Sequence, residues 1–312
     1  MSSKKKSVIF VVGPTAAGKS EWAIKMAQKH KGVIFNCDSI QLYKNLNIGA
    51  AKPSPQECKL VPHHLFDLIS PPQEVTTGDY KRAFDQELEN VPVEVPVFLV
   101  GGTGFYFQSV EHGLYPVPKA SEELRKKIEA ELVEPEGPLK LYSELKSKDP
   151  ISAMKISIND HYRLVRALEI IRGENTSLTE IKKKFSEQKI PPPFRLLKVG
   201  MTCEREELAL RIQKRAEKMV KMGLREEVAK LLDQGLEDWS PLSSVGYAQT
   251  CEAIREKKSD QWLTEAISMA TRQLAKKQKT WFKRDAEIFW IEDQTSNEKA
   301  DKILETFLQS ST

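Results

Sequence analysis

Eight residues near the start of the sequence constrain its fold more than any other feature. Residues 13–20 read Gly-Pro-Thr-Ala-Ala-Gly-Lys-Ser, directly after the apolar run 8–12 and before the helix-forming stretch 19–30. This spacing predicts a strand, a loop whose backbone N–H groups cradle phosphate, and a helix whose positive N-terminal end adds attraction. Lys19 would supply a point charge and Ser20 a hydroxyl ligand for Mg²⁺. We therefore expect a polyphosphate or pyrophosphate ligand, the alternative being a turn that binds nothing.

The first third of the sequence alternates between strand and helix. Strands are predicted at 8–12, 33–36 and 95–100, and helices at 19–30 and 78–89. The third strand is uniformly apolar, which is typical of a sheet that is covered on both faces. The predicted fold class is therefore α/β, with a doubly wound parallel sheet that carries the phosphate loop. In such sheets ligands bind at the carboxyl ends of the strands.

The later sequence is charged and helical, which divides the chain into four predicted segments. These are a first part of the core at 1–118, a helical insertion at 119–193, a helical completion of the core at 194–294, and a polar tail at 295–312. Within the third segment, residues 194–201 would form a returning strand and Thr202 would cap the next helix. A long helix would cover 262–284.

Composition narrows the class of protein and its compartment. The chain has 312 residues, 40% hydrophobic and 29% charged, and no apolar run reaches membrane-spanning length. The lysine-rich start leads directly into a strand, which predicts no secretory leader, and the four cysteines form no C-x-x-C pair. We expect a cytoplasmic protein that has no membrane contact. The net charge of +4 does not indicate nucleic acid by itself, but its distribution does.

Two polar clusters follow the second and third predicted strands. Asp38, with Ser39, Ile40 and Gln41 behind it, follows one of them. Its carboxylate could ligate Mg²⁺, act as a general base or cap a turn, and the sequence leaves these roles open. Thr103 lies within Gly-Gly-Thr-Gly, where the glycines allow close backbone approach, although such clusters are often only turns.

Two basic helix faces complete the candidate site. Residues 204–222 place Arg211 and Arg215 on one face, and either could bind phosphate through bidentate hydrogen bonds. Residues 272–284 carry six Lys or Arg and no acidic residue, with Trp281 between them. Such a stripe attracts nucleic-acid phosphates, the alternative being a solvated face with a core tryptophan.

Taken together, these motifs resemble the bacterial tRNA dimethylallyltransferases, which prenylate the adenosine just 3′ of the anticodon. The resemblance runs from residue 8 to about residue 290. Besides the phosphate loop and the glycine cluster, it rests on Asp38-Ser39-x-Gln41-x-Tyr43, Ile48-Gly49-x-Ala51-Lys52-Pro53, Pro62-His63-His64-Leu65-x-Asp67, Asp160-x-x-Arg163-x-x-Arg166-Ala167-Leu168-Glu169, Val245-Gly246-Tyr247 and Ala275-Lys276-Lys277-Gln278-x-Thr280-Trp281-Phe282. The sequence departs from the family at Gln249, where an acidic residue is frequent, and at Lys277 and Lys283, where arginine is common.

The resemblance implies a reaction and the residues that perform it. The phosphate loop would hold the pyrophosphate of dimethylallyl diphosphate with Mg²⁺ on Ser20, and Arg215 is favoured over Arg211 as its partner. Asp38 would take a proton from the adenine amine, and Thr103 would position the reacting groups. The residues that bind the donor phosphates would be Gly13, Pro14, Thr15, Ala16, Ala17, Gly18, Lys19 and Ser20.

The resemblance also implies a surface for tRNA, with the insertion clamping the anticodon arm. The residues implied are Asp38, Ser39, Ile40, Gln41, Arg125, Tyr162, Arg163, Leu164, Val165, Arg166, Val245, Gly246, Tyr247, Lys276, Lys277, Gln278, Lys279, Thr280, Trp281, Phe282 and Lys283. A monomer is expected. Three rival hypotheses are a prenyltransferase of free adenine nucleotides, a small-molecule kinase, and a non-catalytic RNA-binding protein regulated by nucleotide.

Overall fold

A six-stranded parallel sheet lies at the centre of the fold. The computed structural model describes residues 4–114, 121–187, 191–292 and 294–310. The strands are β1 (Ser7–Val12), β2 (Val33–Cys37), β3 (His63–His64), β4 (Val97–Gly101), β5 (Arg195–Met201) and β6 (Phe289–Ile291). They lie in the order β3-β2-β4-β1-β5-β6, and every neighbouring pair is parallel. The predicted α/β class with a parallel sheet is confirmed.

The register of the sheet brings the carboxyl ends of its inner strands to one edge. Val11 of β1 pairs with Val100 of β4 and with Val199 of β5. Cys37 of β2 pairs with Gly101 of β4. The loops that follow β1, β2 and β4 therefore begin side by side, which is where a parallel sheet binds its ligands.

Helices follow the strands along the chain, and some of them begin at residues whose side chains accept from the first free N–H groups. Capping boxes formed by Ser54 with Glu57 and by Thr76 with Asp79 start the second and third helices. The helices are α1 (Lys19–Lys29), α2 (Pro55–Leu60), α3 (Thr77–Asn90), α4 (Gly104–His112), α5 (Glu122–Leu132), α6 (Gly137–Lys148), α7 (Pro150–Ala153), α8 (His161–Glu174), α9 (Leu178–Glu187), α10 (Arg205–Lys221), α11 (Leu224–Leu232), α12 (Tyr247–Arg255), α13 (Asp260–Phe282) and α14 (Gln294–Gln309).

Both faces of the sheet are buried, because successive residues of each strand point to opposite sides. In β1, Val8 and Phe10 pack in a core with side chains of α3 and α4. Ile9 and Val11 pack in a second core with side chains of α1 and α14. A third core joins α10, α11, α12 and α13 to the segment that follows β2. This arrangement explains the uniformly apolar strands.

The chain divides into two compact units. One comprises residues 1–111 and 192–312, and the other comprises 112–191. The second unit has its own core, formed around Ile128, Leu145 and Leu168. The predicted boundary between residues 118 and 119 lies outside the described residues. None of the helices in the described ranges is long and apolar enough to cross a membrane.

Two expectations from the sequence are wrong. The predicted polar tail at 295–312 folds largely as α14, whose Ala300 and Leu304 are fully buried against the sheet. The segment has many charged residues, but its apolar residues recur at helical spacing and form one buried stripe. The last two residues of the tail lie outside the described residues. Thr202 is not a helix cap, because α10 begins at Arg205 and Glu204 occupies its N-cap position; the Thr202 N–H donates to the carbonyl oxygen of Ile291.

Candidate functional site

The loop at 13–20 has the backbone conformation that its glycines permit. Gly13 has a φ of 131°, and a Cβ there would lie 2.2 Å from the Met201 carbonyl oxygen. Gly18 has a φ of 91° and lies directly before α1. Side chains rarely adopt such φ values, so both positions require glycine. The loop therefore leads to the free N–H groups at the start of α1.

Lys19 is hydrogen-bonded to this loop, and its neighbours shift the pKa of its amino group. Its Nζ donates to the carbonyl oxygens of Gly13 (3.0 Å) and Pro14 (2.7 Å). Burial, and then the Arg215 cation, lower the pKa of Lys19 to about 7, whereas the Asp38 carboxylate opposes this change. A bound anion would raise the pKa again, because it favours the ammonium form.

Both candidate arginines approach the loop, but in different settings. Arg215 lies beside Lys19 and Asp38 in one cavity, and burial lowers the pKa of its guanidinium. Arg211 lies next to Gly18, where an added Cβ would be 3.5 Å from its Nη1. Arg211 is exposed and donates to Glu207 Oε1 at 2.6 Å. Arg215 therefore faces the same space as Lys19, and Arg211 lies at the rim.

Asp38 is held rigidly in the turn that follows β2. Its N–H donates to Asn36 Oδ1 (2.9 Å), and its own Oδ1 accepts from the N–H of Ile40 (2.9 Å). Asn36 in turn donates to the carbonyl oxygens of Asp38 and Leu65, both at 3.0 Å. One carboxylate oxygen thus caps the turn, as one sequence alternative proposed, which leaves the other for the cavities that Asp38 lines.

Thr103 joins the loop after β4 to the loop after β2. Its N–H donates to the carbonyl oxygen of Cys37 (3.2 Å), and its Oγ1 accepts from the N–H of Ser39 (3.0 Å). A Cβ at Gly101 would lie 1.9 Å from the Cys37 carbonyl oxygen, which explains why a glycine is needed there. The glycine cluster thus allows the loop after β4 to pack closely against the loop after β2.

Gln278 of α13 connects the loop at 13–20 to the same region. Its Oε1 accepts from the N–H of Thr15 (2.8 Å), and its Nε2 donates to the carbonyl oxygen of Gly102 (3.1 Å). A Cβ at Gly102 would lie 2.2 Å from that Nε2. The sequence assigned Gln278 to tRNA only, whereas both ends of its amide are bonded to protein backbone.

These side chains border two adjoining cavities. The first, here called the loop cavity, has a volume of about 120 Å³ and contains Lys19 and Ser20 in its wall. The second, called the Thr103 cavity, has a volume of about 440 Å³ and contains Thr103 and Gly246. Five residues line both: Thr15, Asp38, Gly102, Arg215 and Gln278. A ligand in either cavity would therefore meet the Asp38 carboxylate and the Arg215 guanidinium.

The basic stripe of α13 is exposed in part and anchored in part. Arg272, Lys276, Lys277 and Lys283 are exposed, and Lys279 is half-buried. Trp281 is 41% exposed, and a Cβ at Gly104 would lie 2.2 Å from its indole nitrogen. Phe282 is buried against Phe107, with ring centroids 5.7 Å apart, and Thr280 donates to the carbonyl oxygen of Lys276. The expected tRNA contact through the Phe282 side chain is therefore wrong, because that ring belongs to the core.

Other members of the implied tRNA surface lie in the second unit. Tyr162 is 74% exposed, and Arg125, Arg163 and Arg166 pair with acidic neighbours. Leu164 and Val165 are buried in the core of this unit. A side-chain contact between these two residues and tRNA is therefore excluded, because both lie on the broad apolar face of α8 that packs into this core.

The segment 245–249 contributes two residues to the Thr103 cavity. Val245 and Gly246 line that cavity, whereas Tyr247 is fully buried. The expected tRNA contact through Tyr247 is wrong for this reason. Gln249, which departs from the family pattern, accepts from the N–H of Gly246 through its Oε1 (2.8 Å). An amide oxygen can cap this helix as a carboxylate would.

Near β2, Ser39 and Ile40 are half-buried and line the Thr103 cavity. Gln41 lines the loop cavity, and its Nε2 donates to the carbonyl oxygens of Ala50 and Ala51.

Within the described residues, no three His, Cys, Asp or Glu side chains form a cluster that could hold a metal ion.

Known proteins are similar to this chain in sequence and in fold. The tRNA dimethylallyltransferase of Bdellovibrio bacteriovorus is 49% identical over 305 residues, which cover 98% of this chain and 99% of that protein. The crystal structure of a tRNA isopentenylpyrophosphate transferase from Bacillus halodurans has a TM-score of 0.70 at 28% identity and covers 98% of both chains. A eukaryotic dimethylallyltransferase acting on tRNA shares the fold with a TM-score of 0.81 at 24% identity, covering 98% of this chain and 80% of that chain.

Family models cover the same regions that form the two cavities. An Isopentenyl transferase model matches residues 6–68, which include the loop at 13–20 and Asp38. The IPP transferase model matches residues 41–285, which include Thr103, Arg215 and the basic stripe. The chain therefore belongs to the IPP transferase family.

Proposed function

We propose that this protein transfers a dimethylallyl group from dimethylallyl diphosphate to the exocyclic N6 of the adenosine 3′ of the anticodon in tRNAs. One observation carries the proposal: Asp38 and Arg215 line both the loop cavity and the Thr103 cavity. A donor held in the first cavity and a nucleobase in the second would meet at these two side chains. Membership of the IPP transferase family supports the choice of donor.

The loop cavity would bind the diphosphate as a leaving group. Breaking the bond between the allylic carbon and oxygen leaves negative charge on the diphosphate, and fixed donors around it lower the barrier. The loop N–H groups and Lys19 supply such donors, and Arg215 adds a guanidinium suited to bidentate contact. Arg211 at the rim would contribute less, because Glu207 neutralises it.

Ser20 is the residue that fits a role as Mg²⁺ ligand. Its exposed hydroxyl lies at the start of α1 and lines the loop cavity. Magnesium that binds with phosphates needs only one or two protein ligands, because phosphate oxygens and water fill the other positions. When bound, the ion would neutralise charge on the departing diphosphate.

Asp38 would act as the general base. In the transfer, the adenine N6 forms a bond to the allylic carbon while the carbon–oxygen bond breaks, and the electron pair of that bond leaves with the diphosphate. The proton lost from N6 goes to the Asp38 carboxylate. The contacts with Asn36 and Ile40 hold this carboxylate in place, and Thr103 positions the segment beside it through Ser39.

The nucleobase would enter the Thr103 cavity after leaving its stack in the RNA loop. Single-stranded loops make this step less costly than a duplex would. The exposed cations of α13 would bind tRNA phosphates, and the second unit would clamp the anticodon arm through Arg125, Tyr162, Arg163 and Arg166. We propose that the protein performs this reaction as a monomer in the cytoplasm.

Labelled donor provides the test of the reaction. The protein is incubated with labelled dimethylallyl diphosphate, Mg²⁺ and either unmodified tRNA or AMP, and tRNA nucleosides are then analysed by mass. We expect label in tRNA as N6-dimethylallyladenosine, with none in AMP. Label that enters only AMP would support the nucleotide prenyltransferase instead.

Two further controls separate the remaining rival hypotheses. A kinase would transfer phosphate from labelled ATP to a small acceptor, which we do not expect. A non-catalytic RNA-binding protein would release no diphosphate from the donor in the presence of tRNA. Diphosphate release that depends on tRNA, measured alongside nucleoside formation, excludes that hypothesis.

A further inference from the structure

We propose that Glu227 and Tyr247 are positioning residues for the transfer reaction, because together they hold the loop that borders both cavities. This inference rests on the proposed function for the reaction that it affects. Neither side chain lines the loop cavity or the Thr103 cavity. Both act through residues 47–53, here called the wall loop.

The wall loop contributes to both cavities along its length. Gly49 and Ala50 line the Thr103 cavity, and Ala51, Lys52 and Pro53 line the loop cavity. Gly49 and Ala50 therefore shape the space for the nucleobase, and Ala51 to Pro53 shape the space for the donor.

Glu227 of α11 binds the start of the wall loop through its backbone. Its carboxylate accepts from the N–H groups of Asn47 (3.1 Å), Ile48 (2.8 Å to Oε2) and Gly49 (3.3 Å). Hydrogen bonds to a charged acceptor are stronger than neutral ones. A single side chain thus fixes three successive peptide groups.

Tyr247 of α12 completes the contact. Its hydroxyl donates to Glu227 Oε1 (2.7 Å) and accepts from the N–H of Ala50 (3.1 Å). A Cβ at Gly49 would lie 2.6 Å from the ring, so the ring packs directly on that backbone. The phenol therefore aligns the carboxylate and binds the next peptide group of the same loop.

The contact extends toward Asp38 through Gln41. The Gln41 amide donates to the carbonyl oxygens of Ala50 (3.0 Å) and Ala51 (3.2 Å). Gln41 belongs to the turn that begins at Asp38. The order of contacts, from Glu227 and Tyr247 to the wall loop and then to Gln41, gives the pair a route to the reacting groups.

The far end of the wall loop has a separate attachment. Lys52 Nζ donates to the carbonyl oxygen of Tyr43 (2.6 Å) and to Asp67 Oδ1 (2.5 Å). The loop at 13–20 is held by Gln278, whose amide bonds to the backbone of Thr15 and Gly102 and not to the wall loop. Loss of the Glu227 contact should therefore release residues 47–50 and leave the diphosphate site intact.

The test uses two variants that keep the size of each side chain, Glu227→Gln and Tyr247→Phe. At saturating tRNA and donor, we expect kcat to fall by about 10- to 100-fold, since small misplacements near the reacting groups have effects of this order. The Kd of inorganic diphosphate should stay unchanged. Hydrogen exchange at the amides of Ile48 and Ala50 should speed up, while the amides of α1 keep their wild-type rates.

The matched control is Glu226→Gln, which removes the same charge from an exposed neighbour on α11. We expect wild-type kcat and wild-type exchange from it. The double variant should lose no more activity than the worse single variant, because both act through one loop.

A kcat that stays at the wild-type value while thermal stability falls would overturn the proposal and make the pair a stability element. Failure of both variants to fold would overturn it equally. If the wild-type protein transfers no dimethylallyl group, the proposed function fails instead. The exchange measurement still reports whether the pair holds the wall loop.

Discussion

The substitution Asp38→Asn tests the assigned base most sharply. The asparagine Oδ1 can still accept from the Ile40 N–H, and the Asp38 N–H still reaches Asn36 Oδ1, so the turn keeps its hydrogen bonds. The second oxygen is replaced by an NH₂ group that donates and cannot take a proton. The change therefore removes one chemical function while it preserves the local structure.

The expected loss follows from what a positioned base contributes. General base catalysis accounts for about 10²- to 10⁴-fold in rate. At 1.36 kcal/mol for each factor of ten, this is about 3–5 kcal/mol of transition-state stabilisation. Diphosphate affinity should survive, because the loop N–H groups and Lys19 remain and one negative charge has left the cavity.

The assay separates the chemical step from binding. Single-turnover transfer of labelled dimethylallyl to saturating tRNA gives the rate, and equilibrium binding of tRNA and of inorganic diphosphate gives two affinities. We expect the rate to fall by at least about 100-fold, the lower end of what a general base contributes, with both affinities retained. The control Asp238→Asn changes an exposed aspartate outside both cavities and should leave the rate unchanged. A rate for Asp38→Asn within about tenfold of wild type, below the usual contribution of a base, would refute the assignment.

Three other predictions test the rest of the structure. Because the pKa of Lys19 is lowered to about 7, its ammonium form declines above that pH, so diphosphate binding should weaken by up to about 50-fold between pH 7 and pH 9. Calorimetry should show that the affinity of Lys19→Gln for diphosphate depends less on pH. Equal pH dependence in the two proteins would contradict the pKa shift. Arg272→Glu should weaken tRNA binding and reduce the slope of log Kd against log salt by about 1–2 while kcat at saturation holds; an unchanged slope would remove this residue from the tRNA surface. Leu304→Ala should lower the free energy of unfolding by about 2–5 kcal/mol in urea titrations, because Leu304 is fully buried; no loss would mean that α14 is not part of the core.

Much of the fold and of the site was predictable because the signals are local. Gly13 to Ser20, Asp38 and Thr103 each follow an apolar strand, and parallel strands bring such positions to one edge. The sequence placed these residues correctly relative to each other for that reason. The residues with positive φ, Gly13 and Gly18, were also recognisable from their spacing.

Other features depend on contacts that no local pattern encodes. Gln278 reaches Thr15 across 263 positions of sequence, and Glu227 reaches Ile48 across 179. Each lies on an amphipathic helix, where a polar residue usually faces solvent. The implied tRNA surface included four residues only because they belong to contiguous motifs: Leu164, Val165, Tyr247 and Phe282. Their side chains are buried in the cores. Likewise, the polar composition of residues 295–312 led to the prediction of a tail, although the apolar residues of α14 form a buried stripe.

The central claim is that one carboxylate serves two adjoining cavities, one for the donor diphosphate and one for the nucleobase. A crystal structure with tRNA and a non-reactive thio-analogue of dimethylallyl diphosphate tests it most directly. We expect the diphosphate on the N–H groups of Gly13 to Ser20, and an Asp38 carboxylate oxygen within hydrogen-bond distance of the adenine N6. A diphosphate bound elsewhere, or an adenine whose N6 lies out of reach of Asp38, would contradict the account.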